Sequence, residues 1–131
     1  MIKAIALDDE PLALEILQSL CDTIDYIELK KTFTKSDEAF KYLKKYPVDL
    51  LFLDINMPSI SGLDFYKKLP HKTMVIFTTA YSEFAVEGFT LSATDYLLKP
   101  ISLSRFQQAA EKAFSQWKLQ NQNIEQQYLF I

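Results

Sequence analysis

The sequence predicts an α/β domain built on a five-stranded parallel sheet. Short apolar runs alternate with segments of helical periodicity along the chain, and each apolar run stops at polar or charged residues. Right-handed crossovers between parallel strands place helices on both faces of such a sheet. Its ligands are expected at the carboxyl ends of the strands, near the point where the strand order reverses.

Five apolar runs are predicted to be the strands. The third is the clearest, because residues 48–53 are almost continuously apolar, as expected of a strand covered on both faces. The others alternate more loosely and end in turn residues. The predicted strands are residues 2–7, 26–33, 48–53, 73–77 and 93–98.

Helices are predicted between the strands. Pro11 suits the first turn of the first helix, because its missing N–H would be unpaired there. Ser36, Ser61 and Ser102 are expected to cap the second, third and last helices, and a further helix is expected over residues 82–89. The apolar residues at helical spacing in the first helix are Ala13, Ile16, Leu17, Leu20 and Ile24.

Composition excludes several classes of protein. The 131 residues suggest a single domain, and the lone Cys21, expected in the core, cannot build a disulfide framework. No apolar run approaches the ~20 residues of a membrane helix, and the N-terminus lacks a signal peptide, so we expect a cytoplasmic protein. The net charge of −3 disfavours direct nucleic-acid binding, and two glycines disfavour a Gly-rich phosphate loop.

The strand ends carry the candidate chemistry. Asp8 and Asp9 follow the first strand, Asp54 the third, Thr79 the fourth and Lys99 the fifth. Three clustered carboxylates repel one another unless a cation lies among them or some are protonated. Mg²⁺ takes such oxygen ligands, lysine suits a phosphoryl oxygen, and aspartate is a known covalent acceptor. The edge could therefore transfer a phosphoryl group to one aspartate beside a metal.

These motifs, in this order, resemble the receiver domain of bacterial two-component response regulators. The resemblance covers about residues 2–117 and implies the sheet order 2-1-3-4-5 of a flavodoxin-like fold, with a receiver over residues 1–118. The matching segments are Leu7-Asp8-Asp9-Glu10, Leu53-Asp54-Ile55-Asn56-Met57-Pro58, Ser61-Gly62, Thr79-Ala80 and Tyr96-Leu97-Leu98-Lys99-Pro100.

The resemblance implies a phosphoryl acceptor and a metal site. It makes Asp54 the acceptor for a phosphoryl group from a histidine kinase, with Mg²⁺ as cofactor. Asp9 is then a direct metal ligand, Asp8 acts through water, and Asn56 lends its backbone carbonyl. Asn56 and Tyr81, two residues beyond Asp54 and Thr79, are expected to set the lifetime of the phosphoryl group.

The resemblance also implies a conformational switch. Thr79 and the Ala80 amide would contact the phosphoryl oxygens, and Lys99 would pair with one of them. Tyr96 matches the aromatic residue that turns inward when Thr79 moves toward the phosphoryl group. The Lys99-Pro100 peptide bond is expected to be cis.

The end of the chain points to an output domain. Residues 119–131 are expected to be a linker, or an extension of the last helix, and the first residues of a C-terminal effector domain. Tyr128-Leu129-Phe130-Ile131 resembles the entry to a LytTR-type DNA-binding domain, through which alone DNA would be bound. The alternative is a single-domain receiver that signals by protein contacts of its last two helices. Such receivers often form homodimers on activation, and the sequence leaves this open.

Two other functions compete with a receiver. A phosphatase with an aspartyl-phosphate intermediate would need an acid two residues after the nucleophile, where this chain has Asn56. A flavin-binding module would need a phosphate loop rich in Ser, Thr and Gly after the first strand. The Asp-Asp-Glu-Pro segment found there would repel a phosphate without a metal.

Overall fold

A computed structural model describes the backbone of residues 1–81 and 92–129 and the side chains of residues 1–81 and 92–122. The helix expected over residues 82–89 lies outside them. The described strands are β1 (Ile2–Leu7), β2 (Ile27–Phe33), β3 (Leu50–Asp54), β4 (Met74–Thr79) and β5 (Asp95–Leu98). The described helices are α1 (Pro11–Asp22), α2 (Ser36–Lys45), α3 (Gly62–Lys67) and α4 (Leu103–Leu129).

The five strands form one parallel sheet in the order β2-β1-β3-β4-β5, which confirms the predicted order. The order reverses at β1, whose two neighbours are β2 and β3. β4 runs two residues further than predicted, because Thr78 and Thr79 pair with Leu97 and Leu98 of β5. This extension carries Thr79 to the carboxyl edge of the sheet, level with the residues that follow β1 and β3.

Alternating side chains divide the core into two layers. On one face, residues such as Phe52 and Ile76 pack with α1 and α4; on the other, residues such as Leu53 and Phe77 pack with α2 and α3. Continuous apolar strands are therefore covered on both sides, as the sequence predicted. The sheet lies between helices on both faces, and its strand ends deliver the polar residues.

α1 is rotated relative to the stripe expected from its sequence. It buries Leu14, Leu17 and Cys21, whereas Ile16 is 45% exposed. Apolar residues form two overlapping stripes along this helix, and only one of them packs against the sheet. The predicted core position of Cys21 is confirmed, and burial, with a smaller contribution from the Asp22 charge, raises the pKa of its thiol to about 12.

Two of the three predicted serine caps are present. The hydroxyls of Ser61 and Ser102 accept hydrogen bonds from backbone amides three residues on, at 3.1 and 3.2 Å. The cap predicted at Ser36 is wrong. Lys35 occupies the N-cap position of α2 without a side-chain cap, while the Ser36 hydroxyl lies 3.3 Å from that of Ser59.

The last helix extends far beyond the sheet. α4 runs for 27 residues to Leu129, so of the two forms expected after residue 118 the helical extension is the one observed. A domain boundary at residue 118 stays a prediction. Among the residues described, no helix combines the length and apolar character needed to cross a membrane.

Candidate phosphoryl and metal site

The carboxyl edge of the sheet gathers polar residues from four strands. Asp8 directly follows β1, Asp54 is the last residue of β3, Thr79 is the last of β4, and Lys99 directly follows β5. The strands are parallel and in register, with Asp54 opposite Thr78 and Leu7 opposite Leu53. The side chains therefore meet at one end of the sheet, at the switch point where open α/β sheets bind ligands.

Three carboxylates form the acidic part of this site. Asp8, Asp9 and Asp54 each offer an oxygen, and these oxygens all lie within 4.8 Å of one another. Asp8 and Asp54 are buried and Asp9 is half-buried. Hard oxygen donors at this density fit a Mg²⁺ ion that also keeps several waters. The donor set is thus chemically suited to the metal that the sequence predicted.

Lys99 supplies the positive charge of the site. Its ammonium lies 2.8 Å from Asp8 Oδ2 and 3.5 Å from Asp54 Oδ1. Burial alone would lower the pKa of Lys99, but the hydrogen bond and charge of Asp8, with Asp54 and Glu10, raise it overall. The lysine therefore stays cationic while bound to two carboxylates.

The environment of Asp54 disfavours the ionised form of its carboxyl group. Burial, followed by the charge of Asp8, raises its pKa to about 7, against the lowering effects of Lys99 and the Asn56 amide. The Asn56 N–H donates to Asp54 Oδ1 at 3.2 Å. The single positive charge of Lys99 does not neutralise the three carboxylates of the site. An added cation would favour the ionised, nucleophilic form of Asp54.

Thr79 is hydrogen-bonded on both sides. Its hydroxyl donates to Asn56 Oδ1 at 2.9 Å and accepts from the Tyr81 N–H at 3.1 Å. The sequence pointed to the backbone carbonyl of Asn56, not to its side chain, so this contact was missed. The available sequence signal was an amide residue two positions after Asp54.

Gly62 allows the loop after β3 to fold tightly over the site. A Cβ at this position would lie 2.3 Å from the backbone oxygen of Asp54 and 3.0 Å from Ile55 Cα. The Gly62 N–H also donates to the Ile55 carbonyl at 2.9 Å. Any side chain here would push on the backbone that carries Asp54.

The remaining predicted residues lie near the same edge. Ala80 follows β4 and is exposed, and the Lys99-Pro100 bond is cis, as expected. Tyr96 is half-buried on β5, with its ring centre 5.5 Å from that of Phe77. The structure thus places every predicted residue on the elements that meet at this edge.

An ion pair beneath the site was not predicted. Arg105 of α4 donates to both Asp95 oxygens at 3.0 and 2.7 Å and to the Tyr96 carbonyl at 2.9 Å. The Tyr96 N–H in turn donates to Asp95 at 2.8 Å. These bonds tie α4 to β5 around the backbone of Tyr96. A basic residue in the first turn of α4 carried no sequence signal for such a contact.

An apolar groove adjoins the site. It has a volume of about 370 Å³ and lies between α1 and the segment after β5. Leu12, 66% exposed, and Ile16 form one wall, and Ile101 belongs to the other. Asp8 and Lys99 line its inner end. The groove therefore leads along α1 to the polar residues at the sheet edge.

A parallel sheet in this order, with an acidic cluster and a lysine at its carboxyl edge, defines a flavodoxin-like α/β domain with a receiver-type site. A family model described as the response regulator receiver domain matches residues 4–111. The chain therefore belongs to the response regulator receiver domain family.

Curated relatives extend this assignment. The chain is 37% identical to protein MrkE of Klebsiella pneumoniae over 123 residues, covering 92% of this chain and 46% of MrkE. It is 41% identical to the transcriptional regulatory protein BtsR of Salmonella typhimurium over 114 residues, covering 86% and 48%. It is 42% identical to the sensory transduction protein LytR of Staphylococcus epidermidis over 120 residues, covering 85% and 45%. The chain thus spans about half the length of the relatives it matches.

Solved structures share the fold. The response regulatory domain of MrkE from Klebsiella pneumoniae superposes with a TM-score of 0.82 at 36% identity, covering 90% of this chain and 99% of that one. The response regulator TrrA of Thermotoga maritima, crystallised with Mg²⁺ and beryllium fluoride, gives a TM-score of 0.74 at 28% identity, covering 86% and 99%.

Proposed function

We propose that this receiver accepts a phosphoryl group on Asp54, with Mg²⁺ bound beside it. The observation that carries the proposal is the buried Asp54 carboxylate, which shares its pocket with two more carboxylates and with Lys99. A cationic neighbour favours the ionised form of a carboxylate that must act as a nucleophile, and a strongly perturbed pKa marks a candidate functional group. The other two carboxylates then serve the metal, not the transfer itself.

Asp9, Asp54 and the Asn56 carbonyl would hold Mg²⁺ directly, and Asp8 would act through water. When bound, the metal would offset the negative charge that gathers as acceptor and phosphoryl group approach each other. The likeness to TrrA, which was crystallised with Mg²⁺ and beryllium fluoride, supports this assignment. So does the purely oxygen donor set of the three aspartates.

The transfer itself needs few protein groups. An oxygen of ionised Asp54 attacks the phosphorus of a phosphohistidine, and the P–O bond forms as the P–N bond breaks. The electron pair of the broken bond returns to the imidazole nitrogen. Lys99, now bound mainly to Asp8, would pair with a phosphoryl oxygen, and the Thr79 hydroxyl and Ala80 amide would bind others. Tyr96 would then follow Thr79 inward.

A histidine kinase is the proposed donor. Its phosphohistidine must approach Asp54 from the open edge, and the groove beside Leu12 and Ile16 leads there. Exposed apolar residues next to a reactive site are typical of a protein contact. Because that donor is charged from ATP inside the cell, we place the receiver in the cytoplasm.

We propose a signalling role instead of enzymatic turnover. Asn56 occupies the position where an aspartyl-phosphate phosphatase would need an acid, and an amide neither gives nor takes a proton at neutral pH. Slow self-hydrolysis of the phosphorylated domain is the only reaction expected beyond transfer. Steady turnover of small phosphate esters by the purified protein would contradict this role.

The proposed output is transcriptional control through a LytTR-type DNA-binding domain, with residues 119–131 as the linker and the possible start of that domain. The similarity to BtsR, a transcriptional regulatory protein about half of whose length this chain spans, supports this output. The alternative is output by protein contacts of the receiver alone, with or without a homodimer on phosphorylation. DNA binding by the product of the full reading frame, compared with and without acetyl phosphate, separates the two outputs.

Phosphorylation by acetyl phosphate tests the central proposal. Wild-type protein with Mg²⁺ should gain one base-labile phosphoryl group by intact mass, and Asp54→Asn should gain none. Asp25→Asn, at an exposed aspartate of the loop after α1, is the matched control and should be modified like wild type. Full modification of Asp54→Asn would move the acceptor to another residue.

A further inference from the structure

The Thr79 hydroxyl is already engaged in the structure without a phosphoryl group. It donates its proton to Asn56 Oδ1 at 2.9 Å, and its oxygen accepts from the Tyr81 N–H at 3.1 Å. Thr79 is buried, with 1% of its surface exposed. The contact therefore joins the last residue of β4 to the loop that follows β3.

A hydroxyl has one proton and can donate one hydrogen bond at a time. Thr79 therefore cannot donate to Asn56 and to a phosphoryl oxygen together. The two acceptors compete for the same proton. Breaking the bond to Asn56 also frees Thr79 to leave its position beside Tyr81.

We infer that the Asn56 side chain is a latch that holds Thr79 in the resting position and sets how readily the receiver switches. The inference rests on the proposed function, in which Thr79 binds the phosphoryl group. Asn56 thus has two separable roles. Its backbone carbonyl serves the metal, and its side-chain oxygen opposes activation. A positioning residue of this kind acts through Thr79, not on the phosphoryl group itself.

The latch lowers the apparent affinity for any phosphoryl-like ligand, because part of the binding free energy is used to break it. A typical net hydrogen bond corresponds to a change of about two- to twelve-fold in an equilibrium constant. Asn56→Ala removes the latch, and comparing each protein at a Mg²⁺ concentration that saturates it keeps any change in metal affinity out of the result.

Beryllium fluoride is the appropriate probe, because it mimics the phosphoryl group and is not hydrolysed, so lifetime effects at Asn56 do not enter. We expect Asn56→Ala to bind it about two- to twelve-fold more tightly than wild type when both proteins are saturated with Mg²⁺. Ser59→Ala, an exposed residue of the same loop, is the control and should bind like wild type.

A double-mutant cycle with Thr79→Val separates the latch from a general loosening of the loop. Thr79→Val keeps the shape and loses the hydroxyl, so adding Asn56→Ala to it should change the affinity no further. The Tyr81 amide resonance gives an independent measure. In free Asn56→Ala protein it should move toward its position in the wild-type complex with beryllium fluoride.

The outcomes distinguish the two proposals. If wild type binds beryllium fluoride and Asn56→Ala binds it no more tightly, only the latch is overturned. The same holds if the gain persists in the Thr79→Val background, or if the Tyr81 resonance does not move. If wild type shows no Mg²⁺-dependent binding of beryllium fluoride, the proposed function falls and the latch falls with it.

Discussion

The ammonium of Lys99 lies 2.8 Å from Asp8 Oδ2, a shorter distance than the 3.5 Å that separates it from Asp54 Oδ1. The site's cation is therefore held mainly by Asp8, and Asp54 receives only part of its charge. That division explains why burial and the charge of Asp8 prevail at Asp54 and raise its pKa to about 7. It also leaves Lys99 available to a phosphoryl oxygen once Asp8 has another partner.

The raised pKa of Asp54 predicts a pH-dependent stability. A carboxyl whose folded pKa exceeds its unfolded value favours the folded state below the unfolded pKa, and loses that advantage as pH rises through the folded pKa. Metal-free Asp54→Asn should thus be more stable than wild type at pH 8, by about 4 kcal/mol for a rise of about three pKa units at 1.36 kcal/mol per unit. Urea unfolding in EDTA measures this difference.

The gain in stability should shrink between about pH 7 and pH 4, because Asp54 becomes protonated in the folded protein and then in the unfolded chain. Asp25→Asn provides the control, since that side chain is exposed and should show little dependence. A gain that stays constant across this range would show that the Asp54 charge is not its cause.

Asp9 is predicted to bind the metal. Its carboxylate lies with those of Asp8 and Asp54, yet unlike them it is only half-buried and so can bind an ion from solvent without a large rearrangement. We expect Asp9→Ala to weaken Mg²⁺ binding by about tenfold or more, since even outer-shell partners are worth that much. Isothermal titration calorimetry measures it, with exposed Glu10→Gln as control. Equal affinities for the two variants would assign the ligand role elsewhere.

The pair of Arg105 and Asp95 is predicted to stabilise the junction of β5 and α4. Arg105 binds both oxygens of a nearly buried carboxylate, and the resulting hydrogen bonds help to hold the pKa of Asp95 below its usual value although burial acts to raise it. Arg105→Ala should lower the free energy of unfolding by about 1–2 kcal/mol, discounted for the partial exposure of the arginine.

Lys112→Ala is the matched control for Arg105→Ala. Lys112 contacts the same Asp95 carboxylate at 3.3 Å but is 58% exposed, so its removal should cost about 0.5 kcal/mol or less. Both differences should diminish in acid, as Asp95 becomes protonated below its lowered pKa. If Arg105→Ala and Lys112→Ala lower the free energy of unfolding equally, the two hydrogen bonds from Arg105 to Asp95 stabilise the protein no more than the contact of Lys112 does.

The fold was predictable because its signals are local and repeated. Continuous apolar runs marked strands such as β3, and the polar residues that followed them marked one edge of the sheet. The site residues could be placed at that edge for the same reason. Thr78 and Thr79 were excluded from β4 because a polar pair reads as a strand end, whereas pairing with β5 extends the strand.

What could not be predicted depends on side-chain direction and on contacts between distant segments. The bond from Thr79 to Asn56 joins residues 23 positions apart, and that from Arg105 to Asp95 depends on how α4 lies across β5. Similarly, the spacing of apolar residues in α1 fits two stripes, and only packing against the sheet decides that Ile16 faces the groove.

The apolar groove beside the site allows binding of the kinase to be tested separately from the phosphoryl transfer. Leu12 and Ile16 are 66% and 45% exposed, and both line the groove that reaches Asp8 and Lys99. Acetyl phosphate needs only the site, whereas a kinase must also contact the surface beside it. The double variant Leu12→Ser, Ile16→Ser should therefore react normally with acetyl phosphate and slowly with a phosphorylated kinase.

Kinase domains encoded in the same genome are first autophosphorylated with labelled ATP. The kinase that transfers its phosphoryl group to the wild-type receiver is then used for the comparison. Loss of two exposed apolar contacts should reduce the transfer rate at low receiver concentration by about tenfold or more, since each is worth roughly 1 kcal/mol on burial. Saturating receiver should restore much of the rate, because the groove contributes binding. Leu119→Ser, exposed on α4, is the matched control. Equal losses with acetyl phosphate would place the defect in the site, and unchanged kinase transfer would place the docking surface elsewhere.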